Sequence, residues 1–196
     1  MGKRKPIYGV GINDADYTTQ IVRPVNGKLK NIWNCPYYKR WGEMLKRCYS
    51  PRYHEKKPTY IGCTVCQDWL VFSNFKKWME KQDWQGKHLD KDILVKGNKM
   101  YHPDLCLFVD NSLNSFMNDH GAKRGLYPIG VSWHKRDSIF ESQISNPFTG
   151  KDEYLGRYTN QDDGHQAWRK RKRELAHQLA DMQTDPRIAD ALRNRY

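Results

Sequence analysis

The sequence predicts an α+β protein made of several small parts. Two segments before residue 82 repeat apolar residues at spacings of three and four, which is typical of helices that bury one face. After residue 126, three short segments alternate apolar and polar residues and are followed by a longer helical segment. That order predicts three short strands and a helix that together form one small unit. Between these regions, two strand-like segments precede a short helical one.

The composition indicates a folded protein with an anionic partner. The 196 residues include 34 Lys and Arg against 22 Asp and Glu, which gives a formal net charge of +12. The 13% aromatic share argues against disorder, because disordered chains lack large apolar groups. No apolar run approaches the roughly 20 residues that span a bilayer, and no signal-peptide core follows the basic start, so we expect no membrane insertion. The charge favours nucleic acid over a membrane surface, although a merely soluble basic protein would also fit.

Residues 1–30 are predicted to form an accessory arm. Residues 6–25 read as extended, and Asn26-Gly27 is a tight-turn signal because both residues tolerate positive φ. Lys28 and Lys30 follow the turn. We therefore predict a hairpin, to which the sequence assigns no role.

Two amphipathic helices are predicted over residues 36–49 and 67–81. A loop with Pro51 and Pro58 separates them, followed by a short strand or turn over 60–66. We interpret the apolar side chains of both helices as core. They are Tyr37, Trp41, Met44, Leu45, Cys48, Trp69, Leu70, Phe72, Phe75, Trp78 and Met79.

The next segments predict strands over 88–94 and 105–109, separated by a turn at Gly97-Asn98. A helix is predicted to begin over 111–117, and residues 121–125 read as a linker.

The last third predicts strands over 129–134, 139–146 and 153–158, and a helix over 163–182. Alternation along the second strand puts Phe140, Ser142 and Ile144 on one face and Glu141, Gln143 and Ser145 on the other. If Ile144 packs on the helix, the second face stays free. Residues 183–196 form a tail in which Pro186 breaks the helix and a short helix can follow.

These C-terminal segments resemble the AP2-type DNA-binding domain. The resemblance covers Tyr127 to Ala180, within a predicted domain over 126–182, and is carried by Gly130-Val131, Phe140 to Ile144, Tyr154 to Tyr158 and Ala167. It implies that a three-stranded antiparallel sheet, packed on one helix, lies in the major groove of duplex DNA. By strand parity we expect Val131 and Trp133 to point inward. The residues expected to contact DNA are Ser132, His134, Lys135, Arg136, Glu141, Gln143, Ser145, Lys151 and Arg157.

Two further features bear on this interpretation. Gln143 could read adenine through a bidentate pair. Residues 169–173 are five consecutive cations, which either attract phosphate or form a solvated helix face; Lys172 lies nearest the apolar face and is expected to extend its ammonium to solvent. The alternative to DNA binding is a small sheet–helix domain with a polar outer face.

The middle segments resemble the HNH nuclease motif. The residues that carry the resemblance are His88-Leu89-Asp90-Lys91-Asp92-Ile93, Gly97-Asn98-Lys99, Tyr101-His102-Pro103-Asp104-Leu105-Cys106 and Asn114. The resemblance is closest to HNH-like proteins of tailed phages, many of which also carry an AP2-type unit, and it extends over residues 33–180. It implies an HNH-like ββα-metal domain, which we place at 31–120, and a homing-type endonuclease that acts on double-stranded DNA in the cytoplasm of the bacterial host cell.

The resemblance also implies site residues. Asp90 and Asn114 match the positions that hold a divalent metal, Mg²⁺ with Mn²⁺ as the alternative, and strand alternation makes Asp92 a second candidate ligand. The position of the general-base histidine is occupied by Lys91, so His88 and His102 are candidate bases beside it. Because lysine is a poor base, the alternative is a non-catalytic DNA-binding regulator on the same scaffold. An RNA-binding module is a third interpretation.

The five cysteines are an odd number and are expected to be reduced. Cys63 and Cys66 have zinc-ligand spacing, and His102 and Cys106 could complete four ligands. Because Cys66 sits at the entry to an apolar helix and can be core, we do not expect structural zinc. The sequence leaves the oligomeric state open.

Overall fold

The computed structural model describes residues 5–118 and 125–196, which form a mixed α and β protein. The chain divides into two compact units, Met1–Val109 and Asp110–Tyr196, called here the first and second units. The domain predicted over 31–120 runs across this division in sequence. The basic start at residues 1–4 and most of the predicted linker, residues 121–124, lie outside the described residues.

The first unit holds six strands and three α-helices among its described residues, 5–109. They are β1 (Gln20–Val25), β2 (Lys28–Asn34), α1 (Pro36–Tyr49), α2 (Pro51–Lys56), β3 (Thr64–Val65), α3 (Phe72–Met79), β4 (His88–Asp90), β5 (Met100–Tyr101) and β6 (Leu107–Val109). β1 and β2 form an antiparallel hairpin, β3 pairs in parallel with β5, and β4 pairs antiparallel with β6.

The predicted hairpin turn and the first predicted helix are confirmed. Asn26 and Gly27 both have positive φ, as a tight hairpin turn requires. Helix α1 has the predicted bounds and buries its apolar face; Trp41 is fully buried, and its Nε1 donates to the carbonyl of Trp69 at 2.7 Å. This bond satisfies the indole N–H, which would otherwise be costly to bury.

Two predictions for the first unit are wrong. The predicted loop after α1 contains α2, because Ser50 accepts a hydrogen bond from the N–H of Tyr53 and Pro51 occupies the first helical turn. The predicted helix over 67–81 is divided into a 3₁₀ turn over Gln67–Leu70 and α3. The division falls where Ile12 bonds the backbone on both sides of Val71: its N–H donates to the Leu70 carbonyl, and its carbonyl accepts from the N–H of Phe72.

The strands of the predicted ββα segment are shorter than expected. β4 ends at Asp90 because the carboxylate Oδ1 of Asp90 accepts the N–H groups of both Asp92 and Ile93 at 2.8 Å, which turns the chain. The predicted strand over 105–109 begins at Leu107.

The second unit holds α4 (Asn111–Met117), β7 (Val131–His134), β8 (Ile139–Ser145), β9 (Asp152–Tyr158), α5 (Gln161–Asp181) and α6 (Pro186–Arg195). The three strands form an antiparallel sheet in the order β7-β8-β9. The three predicted strands and the long helix are therefore confirmed, and the predicted tail helix is α6.

Helix α5 packs on one face of the sheet through close backbone contacts. The buried Ser142 Oγ of β8 donates to the carbonyl of Gly164 in α5 at 2.8 Å. At the start of β7, Gly130 has a φ of +81°, and a Cβ placed on it would lie 2.0 Å from Cδ1 of Trp168. Leu175 and Ala176 of α5 are fully buried. The sheet therefore has one face that is covered and one that is open.

The run of five cations on α5 does not form one surface. Lys172, expected to reach solvent, is instead buried: its Nζ donates to the carbonyl of Phe116 at 2.6 Å and lies 3.5 Å from the centre of that ring. Arg171 pairs with Glu153 at 2.7 Å, and its guanidinium, with help from Asn146, lowers the pKa of Glu153 to about 2. Both cations stabilise the second unit through these contacts, so they are not available to bind an external anion.

Among the residues that the structure describes, no helix combines the length and apolar character that a membrane crossing requires.

Candidate nucleic-acid interface and metal site

Strand β8 separates a buried side from an open side, as its alternation predicts. Ser142 and Ile144 are buried, whereas Gln143 and Ser145 are exposed. We call the open side of the sheet the outer face. It includes Ser132, Glu141, Gln143, Ser145, Asp152, Tyr154 and Arg157.

A bulge in β9 adds an aromatic residue to the outer face. Ser142 is paired with Gly156, but the next residue, Gln143, is paired with Tyr154, so Leu155 is the extra residue. Tyr154 is 62% exposed beside Gln143. The sequence prediction missed Tyr154 because regular pairing would have set Leu155 opposite Gln143. Gly156, whose φ is +130°, was the available sign of irregular pairing.

Trp133 lies on the inward side of the sheet, as predicted, but is only partly covered there. Trp133 is paired with Phe140 and so lies on the same side of the sheet as Val131. Nevertheless, 38% of its surface is exposed. The indole packs edge-on against Phe140, with ring centres 4.6 Å apart. The covered face of the sheet therefore ends in an aromatic edge.

Several predicted DNA contacts converge on one carboxylate, Asp137. Arg157 lies 3.0 Å from Asp137 and 3.0 Å from Glu141, Arg136 lies 3.0 Å from Asp137, and His134 Nδ1 lies 3.4 Å from it. The hydrogen bond from Arg136 makes the largest contribution to lowering the pKa of Asp137, and the charges of His134 and Arg157 lower it further. A phosphate that approaches Arg157 must therefore compete with two carboxylates.

The other predicted contacts are more accessible. Lys135 and Lys151 are exposed in the turns at opposite ends of β8, and neither has an ion-pair partner within residues 5–118 and 125–196. Ser132 is exposed on β7, and Ser145 Oγ donates to Asp152 at 2.5 Å. The outer face thus has two exposed lysines in its flanking turns and, on β9, an arginine whose charge is paired with Asp137 and Glu141.

In the first unit, Asp90 and Asp92 place two carboxylates at the end of β4. Burial raises the pKa of Asp90, and the negative charge of Asp92 raises it further. The two backbone N–H groups that Oδ1 accepts act in the opposite direction. Half-buried carboxylates that repel one another in this way are a suitable place for a cation.

Lys91 is part of the framework of the same turn. Its Nζ donates to the carbonyl of Asn98 at 2.7 Å and to Asp92 at 3.0 Å. Burial lowers the pKa of Lys91, but the contact with Asp92 outweighs it, so the pKa lies above its usual value. Asn98 closes the loop from the other side, since its Nδ2 donates to the carbonyls of Lys91 and Met100. Lys91 therefore acts as a cationic donor, which disfavours the role of general base.

The remaining candidate residues have separate surroundings. His88 is half-buried in β4, paired with Val109. His102 Nδ1 accepts the N–H of Asp104 at 3.2 Å in the loop before β6. Asn114 belongs to α4 of the second unit, where its Oδ1 accepts from Asn118 Nδ2 at 3.3 Å. The structure thus brings His88, Asp90, Lys91 and Asp92 into one segment, and Asn114 belongs to the other unit.

The carboxylate oxygens of Asp90 and Asp92 suit Mg²⁺ better than zinc. The described part of the chain contains no group of three or more His, Cys, Asp or Glu side chains that could hold an ion. Mg²⁺ needs only one or two carboxylates because it keeps several waters, so Asp90 and Asp92 fit it. Cys106, one of the candidate zinc ligands, is a buried thiol, and burial raises its pKa to about 12.

No protein-family model matches the chain, and comparison with curated proteins and with solved structures found no similar protein.

Proposed function

We propose that the protein binds duplex DNA through the outer face of its three-stranded sheet and cuts or nicks it at a metal site on Asp90 and Asp92. The observation that carries the proposal is the sheet itself. One face is closed by α5, while the other is open and presents hydrogen-bonding side chains along all three strands.

The side chains of the outer face are suited to hydrogen bonds with base edges, in addition to contacts with phosphates. Gln143 and Tyr154 are exposed side by side at the bulge, and a glutamine can make a bidentate pair with adenine in the major groove. Lys135 and Lys151 flank them at the ends of β8, where contacts with the DNA backbone would set the register. Arg157 adds a cation that Asp137 and Glu141 hold in position.

The cleavage part of the proposal depends on the carboxylate pair. Asp90 and Asp92 would hold Mg²⁺, which keeps several of its waters and needs only one or two carboxylates. When bound, the ion would supply charge stabilisation to the scissile phosphate. His88 or His102 would take the proton from the attacking water through a ring nitrogen. The protein would thereby act as a homing-type endonuclease of a tailed phage, inside the bacterial host.

One observation favours a second candidate function, a DNA-binding regulator without nuclease activity. The ammonium of Lys91 is held by Asp92 and Asn98 at the position where the resemblance implies a histidine base. Incubating supercoiled plasmid with the protein and Mg²⁺ or Mn²⁺ separates the candidates. Nicked or linear product supports the endonuclease, whereas tight binding without product supports the regulator.

Removing the polar side chains at the bulge should weaken sequence-specific binding. For Gln143→Ala combined with Tyr154→Ala, we expect the affinity for the preferred duplex to fall at least tenfold, since a bidentate base pair contributes about 1–3 kcal/mol. Fluorescence anisotropy at constant salt, with a duplex selected from a random library, measures the change.

Gln178→Ala is the matched control, because Gln178 is exposed on α5. It should leave the affinity unchanged. Equal affinities for the double variant and the wild type would contradict DNA binding by the outer face.

A further inference from the structure

The β1–β2 hairpin of the first unit is exposed on both of its faces. Every residue of β1 and β2 is exposed except Val25 and Asn34, which are half-buried. Even its apolar side chains are open: Leu29 is 77% exposed and Ile32 is 50% exposed. A two-stranded ribbon is marginally stable by itself in water, so an exposed one of this composition is suited to binding a partner.

The charges of the hairpin identify the chemistry of that partner. Residues 20–34 contain Arg23, Lys28 and Lys30 but neither Asp nor Glu. Arg23 and Lys30 are directly opposite one another in the register. Like charges at opposed positions destabilise a hairpin, and within residues 5–118 and 125–196 none of the three cations has an ion-pair partner. An anion between them would remove this repulsion.

Strand alternation puts all three cations on one face. Arg23 and Val25 are two residues apart on β1 and therefore lie on the same face. Their partners on β2, Lys30 and Lys28, lie on that face as well. The opposite face carries Val22, Pro24, Leu29 and Asn31. A ribbon of six to seven residues per strand is about 20 Å long, and the major groove of B-DNA admits a two-stranded ribbon.

A second group of cations lies at the base of the hairpin. A cavity of about 660 Å³ lies there, lined by hairpin amides and by three lysines, Lys5, Lys39 and Lys46. Glu43, an acidic residue of the lining, is paired with Arg40 at 3.3 Å. Because Asn31 lies on the face opposite Arg23 and Lys30, these lysines form a second cationic group, separate from the one on the hairpin.

We infer that the β1–β2 hairpin is a second duplex-DNA contact, in which Arg23 and Lys30 bind backbone phosphates. The inference rests on the proposed function for the identity of the partner but uses none of the residues of the outer face.

The test is the salt dependence of binding by the full-length chain. Arg23→Ala combined with Lys30→Ala should weaken binding to a duplex and lower the slope of log affinity against log salt by about 2, since each phosphate contact contributes about 0.9. Both side chains are exposed, so the variant should fold normally. Lys77→Ala combined with Lys81→Ala removes the same charge from exposed positions in and after α3 and should leave the slope unchanged.

The outcomes separate the hairpin from the outer face. If the hairpin variant has the slope of the lysine control, the inference is wrong even where Gln143→Ala with Tyr154→Ala loses affinity. If the hairpin variant loses slope while the outer-face variant keeps its affinity, the hairpin contact stands and the proposed role of the sheet fails. If the substitution instead reduces binding to anionic vesicles and leaves DNA binding intact, the hairpin is a membrane contact and the inference is overturned.

Discussion

Replacing Asp90 with asparagine should lower metal-dependent cleavage about 1,000-fold while leaving stability and DNA affinity at the wild-type level. The amide oxygen of asparagine can still accept the N–H groups of Asp92 and Ile93, which Asp90 Oδ1 accepts at 2.8 Å. The turn after β4 is therefore kept, and only the negative charge is removed. A metal ion contributes several kcal/mol to stabilising charge on a phosphate, and each 1.4 kcal/mol is about tenfold in rate.

The rate of nicking of a supercoiled plasmid in Mg²⁺ or Mn²⁺ measures the loss, with thermal unfolding to check the fold. Asp83→Asn is the control: Asp83 is an exposed carboxylate of the same unit that pairs with Lys87 at 2.6 Å. Wild-type activity in Asp90→Asn would show that this carboxylate does not hold the metal.

Gly130→Ala should destabilise the second unit by about 3 kcal/mol. A Cβ at this position would lie 2.0 Å from Cδ1 and 2.2 Å from Cγ of Trp168, and Gly130 has a φ of +81°. Overpacking costs about 1–3 kcal/mol, and a left-handed conformation costs a residue with a side chain about 1–2 kcal/mol more. Because Trp168 is buried in α5, it cannot give way without separating the helix from the sheet.

Gly150→Ala separates the two causes of this loss. Gly150 also has a positive φ, +68°, but a Cβ there meets no atom within 4 Å. Thermal denaturation should therefore show a loss of about 1 kcal/mol for Gly150→Ala, from backbone strain alone. Equal losses for the two variants would contradict the close packing of Gly130 on Trp168.

Periodic patterns in the sequence predicted the fold well. The prediction failed where backbone groups from a distant part of the chain interrupt an element. Helix α1 has the predicted bounds because its apolar face is continuous. The second predicted helix is interrupted because Ile12, about 60 residues earlier in the chain, bonds the backbone around Val71. No local pattern carries that information.

In the candidate sites, too, local patterns predicted some features, while features that depend on a partner strand or loop could not be predicted. Alternation along β8 predicted that Gln143 and Ser145 would be open. It could not predict the bulge that brings Tyr154 beside Gln143, because register depends on the partner strand. The proximity of Asp90 and Asp92 follows from their spacing, whereas the framework role of Lys91 depends on the carbonyl of Asn98 across the loop.

Photocrosslinking from Tyr154 tests DNA contact by the outer face most directly. A photoreactive phenylalanine analogue at position 154, which is 62% exposed, should crosslink to bound duplex DNA. The same analogue at Met182, which is 68% exposed where α5 ends, should give little crosslinking. Crosslinking from position 182 but not from position 154 would contradict DNA binding by the outer face.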